Sequence, residues 1–249
     1  MNHPPPLAPP PAPSTGVTVD VLIPAAGRGR RMGGDVPKVF LPLGDVPVIV
    51  HTVAAFAAHG GVRHIWLAAH PDDFSALENW FSPRTAWPKL KGWVAGGAER
   101  HESVARGLEA MDQDPPDRVL IHDGARPFVT AEIISRVLEG LNTHPAVVPV
   151  VPLVDTIRRQ QEGRTQVVDR AGLVRTQTPQ GFRWDVIKKG VSKAMPHGQT
   201  VTDDAQIVEA DGGDVFFVPG GERNLKLTTP DDMVLGSWLL AHPHWGGGG

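Results

Sequence analysis

A chain of 249 residues with 41% hydrophobic content is long enough to bury a full core, and its net charge of −3 gives no basis for a nucleic-acid polyanion as partner. Cysteine is absent, which excludes disulfides, thiolate metal sites and cysteine nucleophiles. No stretch reaches the ~18 apolar residues that a membrane span needs, so the sequence reads as a soluble, cytoplasmic protein.

Residues 1–16, MNHPPPLAPPPAPSTG, are Pro-rich and hold no Asp, Glu, Lys or Arg. Such a segment can neither form a helix nor bury a core, and it lacks the basic start and apolar run of a signal peptide, so a disordered or polyproline leader is expected. The next stretch organises the rest. Val17, Val19, Val21, Leu22 and Ile23 suit an inner strand of a mostly parallel sheet, and Pro24, which has no N–H to donate, ends it. Ala25, Ala26, Gly27 and Gly29 have little or no side chain, so an anion can approach their backbone N–H groups, while Arg28, Arg30, Arg31 and Lys38 surround them with charge. Met32 stands where a dinucleotide fingerprint needs glycine, and no Walker lysine-serine pair follows. Glycines with cations point to a triphosphate cradle; the plain alternative is a solvated basic loop between a strand and a helix.

Further along, strands and helices alternate. Residues 46–59 are apolar at helical spacing and stop at Gly60-Gly61; 62–69 read as a strand; Pro71 opens a helix through Trp80, with Asp72 and Asp73 in its first turn. Trp93-Val94 is a short strand, 102–111 a helix, 119–121 a buried strand, 130–141 a capped amphipathic helix and 146–151 another strand. Backbone N–H groups at Gly96 and Gly97 can read a base edge, and Ser103 can bond a base or a ribose; the plain reading is a flexible turn with Arg100 at the surface. Asp123 closes an apolar strand, where a carboxylate can hold Mg²⁺ or a ribose hydroxyl, although Arg126 would equally serve as its structural ion-pair partner. His122 reads as a packed strand residue rather than a base.

Over 154–175 the rhythm breaks. Residues 155–159 and 166–170 flank a polar turn at 161–165 and read as an antiparallel hairpin inserted between α/β units, too slight to stand alone. Helices follow at 184–194 and 203–210, with Thr202, Asp203 and Asp204 as capping residues, then strands at 215–218 and 225–228, a last helix at 231–240, and a loose tail containing His242 and His244. The alternation argues for an α/β fold, a doubly wound mostly parallel sheet with an inserted β-hairpin arm, whose ligands sit at the carboxyl ends of the strands. The expected division is a leader over 1–16, one domain over 17–241 with the arm at about 152–176, and a flexible tail over 242–249.

Pro24 to Met32 with Pro37-Lys38, and then in order Gly96-Gly97-Ala98-Glu99-Arg100 with Ser103-Val104, His122-Asp123-Gly124-Ala125-Arg126-Pro127, Asp155-Thr156-Ile157, Gln177-Thr178-Pro179-Gln180, Thr202-Asp203-Asp204-Ala205 and Asn224-Leu225-Lys226 resemble the motifs of the 2-C-methyl-D-erythritol 4-phosphate cytidylyltransferase family. The resemblance covers about residues 17 to 240. It implies a Rossmann-like nucleotidyltransferase using CTP, a polyol phosphate and Mg²⁺ or another divalent cation, with no nucleic-acid or membrane partner. It further implies a homodimer in which the arm reaches the second subunit. By the same resemblance, Arg31, Lys38, Arg170 and Lys226 are catalytic. Pro24, Ala25, Ala26, Gly27, Gly29, Gly96, Gly97, Arg100, Ser103, Asp123 and Gly124 hold the nucleotide in a pyrimidine pocket. Arg126, Asp155, Thr156, Arg170, Thr178, Thr202 and Lys226 hold the other substrate, and Asp123 is the metal ligand together with the CTP phosphates.

Val39 departs from the glutamine usual in the family after the lysine, which affects how the loop closes. Two rival functions are a ribitol 5-phosphate cytidylyltransferase and a non-catalytic nucleotide-sensing module. Ala25-Ala26-Gly27 and Ala125 favour methylerythritol phosphate over ribitol phosphate, and the presence of Arg31, Lys38, Arg170 and Lys226 speaks against a module that only senses.

Overall fold

A computed structural model describes residues 16–27, 36–194 and 203–244. The leader over 1–15, Gly29, Arg31 and the other residues of 28–35, Thr202, and residues 245–249 lie outside the described residues.

Strand β1 (Val19–Pro24) is buried almost throughout, as a strand covered on both faces must be. Val19, Val21 and Ile23 enter one buried cluster and Leu22 enters another. After a small β2 (Pro42–Leu43) and β3 (Val46–Pro47) ribbon come α1 (Val48–Ala58), β4 (His64–Ala69), α2 (Phe74–Trp80), β5 (Leu90–Ala95), α3 (Arg100–Ala110), β6 (Arg118–Ile121), α4 (Ala131–Gly140) and β7 (Ala146–Pro152). Helices α1, α2 and α4 supply the first cluster through residues such as Phe56, Leu77 and Val137. Helix α3 supplies the second through Val104 and Leu108. Each fully buried aliphatic or aromatic side chain contributes roughly 1.5–3 kcal/mol, so a sheet packed on both faces is the stable outcome.

Parallel ladders join β1 to β4 and β6, and β4 to β5. The hairpin follows as β8 (Ile157–Gln161) and β9 (Arg164–Val168), paired with each other in a sheet of their own. Glu162 and Gly163, at φ 50° and 74°, form a tight two-residue turn narrower than the polar turn expected from sequence. Then come β10 (Val174–Thr176), β11 (Gln180–Arg183), α5 (Trp184–Ala194), α6 (Ala205–Ala210), β12 (Val215–Pro219) and α7 (Pro230–Ala241). Residues of α5 and α6, among them Ile187 and Val208, complete the second cluster.

Three features depart from the sequence reading. First, β11 lies antiparallel between β6 and β7, and β10 continues along the same edge of β7: Thr176 faces Val150 and Gly181 faces Val147. They form one strand interrupted at residues 177–179, which places Gln177 and Thr178 among buried groups. Second, residues 225–228 form no strand. Leu227 donates to the Ala125 carbonyl at 2.8 Å and packs with Leu43 and Val48, so the alternation there reflects a crossing segment pinned at one residue. Third, the start of the tail is held: the His242 ring stacks on Trp238 at 4.3 Å, and Arg223 donates to the Pro243 carbonyl at 2.8 Å.

Candidate active site

The carboxyl ends of β1, β5 and β6 meet at a cavity of about 150 Å³. Pro24, Ala25, Ala26, Gly27 and Lys38 line it from the cradle side, Gly97, Arg100 and Ser103 from the turn after β5, and Asp123, Gly124 and Lys226 from beyond β6. Val39 also lines it while its side chain sits in the core, so the residue that departs from the family pattern is held by packing.

Gly96 marks where the cradle and the turn touch. A Cβ there would lie 2.5 Å from the Ala26 Cβ and 2.9 Å from the Ser103 Oγ, so the contact demands glycine. The first turns of α3 fix the rest of the loop. Gly97 N–H donates to Ser103 Oγ at 3.0 Å, Ala98 N–H to the Glu102 carboxylate at 2.8 Å, and Arg106 to the Gly96 carbonyl at 2.8 Å. Glu99 and Glu102 complete a capping box. The buried Ser103 hydroxyl, at the cavity wall, therefore also shapes the turn.

Arg100 is not the surface cation of the plain reading. Its Nη1 and Nη2 donate to Asp204 Oδ1 and Oδ2, both at 2.7 Å, and its Nε donates to Asp123 Oδ1 at 3.2 Å. Asp204 is 0% exposed and accepts no capping bond, which corrects its expected role. Asp203 does act as a cap, accepting Ala205 N–H at 2.8 Å. The signal for Asp204 was the Thr-Asp-Asp-Ala motif itself; capping chemistry accounts for one of its two carboxylates, which left the other to be explained.

Asp123 collects three cations. Lys226 Nζ lies 2.8 Å from Oδ2, Arg126 Nε 3.7 Å from Oδ2, and Arg100 approaches Oδ1. Burial opposes the charge, yet these three cations outweigh it and hold the Asp123 carboxyl below the usual carboxylate range. The plain ion-pair reading of Arg126 thus holds only in part, since its Nη1 also donates to the Asn224 carbonyl at 2.7 Å.

Thr178, expected to touch substrate, is buried and occupied. Asp123 N–H donates to its Oγ at 3.0 Å, and its hydroxyl reaches His122 Nδ1 at 3.1 Å. His122 Nε2 faces the Arg126 carbonyl at 3.0 Å, an acceptor only, so Nε2 carries the proton and Thr178 donates to Nδ1. Burial is the chief cause that lowers the His122 pKa to about 4 and keeps the ring neutral. This relay fixes the Asp123 backbone. Asn224 Nδ2 donates to the Thr178 carbonyl at 2.7 Å and Gln177 Nε2 to the Gly221 carbonyl at 2.8 Å, so two buried amides anchor the segment that carries Lys226. Neither motif announces that scaffold, because the partners of the two amides lie 44 and 46 residues away along the chain.

A second cavity, of about 520 Å³, is lined by Arg126, Lys226, Arg175, Thr176 and Leu239, so Lys226 borders both. Asp155, Thr156 and Arg170 are exposed and line neither; Arg170 donates to the Val154 carbonyl within its own arm.

Among the described residues, no three His, Cys, Asp or Glu side chains gather to hold a metal. Asp123 nonetheless fits a divalent cation shared with phosphate oxygens, because Mg²⁺ needs only one or two carboxylates in such sites and Asp123 is held ionised at the cavity wall.

A family profile described as 2-C-methyl-D-erythritol 4-phosphate cytidylyltransferase matches residues 19–242. The chain is 41% identical over 228 residues to the 2-C-methyl-D-erythritol 4-phosphate cytidylyltransferase of Syntrophotalea carbinolica, covering 91% of this chain and 98% of that one. It is 45% identical over 216 residues to the bifunctional enzyme IspD/IspF of Rhodospirillum rubrum, covering 86% of this chain and 55% of that one, so it spans about half of that relative. The crystal structure of 2-C-methyl-D-erythritol 4-phosphate cytidylyltransferase from Thermus thermophilus matches with a TM-score of 0.73 at 34% identity, over 89% of this chain and 98% of that one.

Proposed function

The chain belongs to the 2-C-methyl-D-erythritol 4-phosphate cytidylyltransferase family, and from that premise we propose how its residues perform the reaction. The reaction transfers CMP from CTP to 2-C-methyl-D-erythritol 4-phosphate, forming 4-diphosphocytidyl-2-C-methyl-D-erythritol and releasing pyrophosphate. A phosphate oxygen of the polyol attacks the α-phosphorus of CTP as the bond to the β-phosphate oxygen breaks, so the protein supplies no nucleophile. Its work is in-line positioning and cation density where negative charge grows.

The observation that carries this reading is the meeting of Gly27, Lys38, Arg100, Asp123 and Lys226 around one cavity, with Lys226 also bordering the second. CTP takes the first cavity, its base at the turn held by α3 and its phosphates along 25–27 with Lys38. The polyol phosphate takes the second, gripped by Arg126 and Lys226. Arg31, outside the described residues, is assigned with Lys38 to the transferring phosphorus, and Thr202, likewise outside them, to the polyol. A divalent cation bound at Asp123 would neutralise phosphate charge. Asp155, Thr156 and Arg170 serve the second subunit of a homodimer, which agrees with their exposure outside both cavities of their own chain. No helix among the described residues is long and apolar enough to cross a membrane, and a cytoplasmic setting is part of the proposal.

The test is pyrophosphate release with CTP, UTP, GTP or ATP, each paired with methylerythritol phosphate or ribitol 5-phosphate. Turnover confined to CTP with methylerythritol phosphate is expected. Equal use of the two polyols would sink the substrate assignment and leave the transfer chemistry standing.

A further inference from the structure

Asp204 is the one carboxylate of the cluster that touches neither cavity, and it is the most deeply buried: its side chain is 1% exposed, against 12% for Asp123 and 28% for Arg100. Burying a charge is costly unless it is paired and bonded, and here the pairing is a two-pronged one on a planar guanidinium. An N-terminal cap of α6 does not require this arrangement, because Asp203 already accepts the Ala205 N–H and Gln180 Oε1 lies 3.1 Å from the same donor.

What the arrangement changes is the direction in which Arg100 points. With both Nη atoms held by Asp204, Arg100 meets Asp123 only through Nε, at 3.2 Å, the longest hydrogen bond in the cluster. A released guanidinium would turn its fork on Asp123, whose second oxygen is already taken by Lys226. The charge balance moves the same way. Arg100, Arg126 and Lys226 against Asp123 and Asp204 leave one net positive charge. Loss of Asp204 would add another beside the carboxylate assigned to the metal.

We propose that Asp204 is a positioning residue for cytidylyl transfer: by holding both Nη atoms of Arg100 it limits that guanidinium to one long Nε contact on Asp123 Oδ1, so that this oxygen keeps a lone pair for the divalent cation that accompanies CTP. The inference rests on the assignment of CTP and its cation to this cavity. It gives two effects of opposite sign. An added positive charge favours the bare triphosphate and disfavours the divalent cation, whereas simple loosening of the fold weakens both.

The experiment measures the CTP dissociation constant by titration calorimetry, without the polyol, in EDTA and in saturating Mn²⁺. For the unaltered protein, Mn²⁺ tightens CTP by a definite factor, which by linkage reports how well CTP and the cation share the site. In Asp204→Asn, CTP affinity in EDTA is expected to be equal or tighter, and the tightening by Mn²⁺ to shrink about tenfold or more, the scale of one unit charge acting on a divalent ion at partial screening. A double variant, Arg100→Gln with Asp204→Asn, removes both buried charges, leaves neither unpaired and restores the charge balance. Its Mn²⁺ tightening is expected to rise above that of Asp204→Asn; if Asp204→Asn does not fold, Asp204→Glu, which keeps the charge and displaces the fork, takes its place, and an unchanged Mn²⁺ factor there would equally overturn the proposal. Weakening of CTP in EDTA and Mn²⁺ alike, or an unchanged Mn²⁺ factor in Asp204→Asn, would overturn the proposal. So would a double variant whose factor does not rise above that of Asp204→Asn. Absence of Mn²⁺ tightening in the unaltered protein would overturn the cavity assignment as well, which separates the two failures.

Discussion

The carboxyl end of the sheet and the hairpin arm both present guanidinium groups, in opposite circumstances. At the sheet, Arg100 and Arg126 are largely enclosed and answer to carboxylates and carbonyls from distant parts of the chain. On the arm, Arg158 bonds the Thr165 hydroxyl and Arg170 a nearby carbonyl, and among the described residues neither has a carboxylate partner. The difference teaches where a site is complete. Buried cations must be neutralised within the protomer to be tolerated at all, whereas exposed cations cost little and can be kept for charge that arrives from outside.

The sharpest test takes a residue from the enclosed side. Lys38→Ala is expected to lower turnover by ~100- to 1,000-fold with little change in CTP affinity, because the role proposed for Lys38 is to meet charge that develops mainly in the transition state. Steady-state kinetics beside equilibrium CTP binding checks it, and a rise in the Michaelis constant alone would make Lys38 a ground-state binder.

A second test tries to break the comparison by bringing the two regions together. Inactive Lys38→Ala and Arg170→Ala proteins are unfolded, mixed and refolded. If the arm serves the other subunit, a mixed dimer has one site with both lesions and one with neither. Random pairing makes roughly half the dimers mixed, so about a quarter of the activity per subunit returns. No recovery from verified mixed dimers would return Arg170 to its own protomer.

Acid should act on the enclosed side. His122 has a pKa of about 4 when folded and ~6.5 when unfolded, so between these values the unfolded chain binds the extra proton. Its contribution is complete above ~6.5 and is lost as pH falls towards 4, amounting to roughly 3 kcal/mol. Urea denaturation across that window checks this, and His122→Gln should flatten the slope. The smallest effect belongs to the arm: Gln160→Ala, exposed on β8, should change stability by no more than about 0.5 kcal/mol in the same assay.

Residue patterns conveyed the fold well wherever period and burial agree. The apolar run that puts Val19, Val21 and Ile23 on one face and Leu22 on the other declares a strand covered on both, and the break at 154–175 declares an insertion. They conveyed less where a residue's role is set by a partner far along the chain. The link that Thr178 makes between Asp123 and His122 is not announced by its motif; Asp204 resembles a cap and is the anchor of Arg100, 104 residues away. Strand β11 was hidden because Gln-Gly-Phe-Arg has no alternation of its own and is held by neighbours on both sides.

The arm leaves and re-enters the sheet at Pro152 and Val174, which are register partners in one antiparallel ladder. Its two roots are thus fastened to each other whatever happens at its tip. A protease that cuts at Glu162-Gly163 should leave a nicked protomer whose halves stay together through β6, β7, β10 and β11, since those ladders join residues on both sides of the cut. The same geometry makes the tip a place to insert a tag or a reporter domain, because lengthening a loop whose ends are already pinned adds only a slowly growing closure entropy.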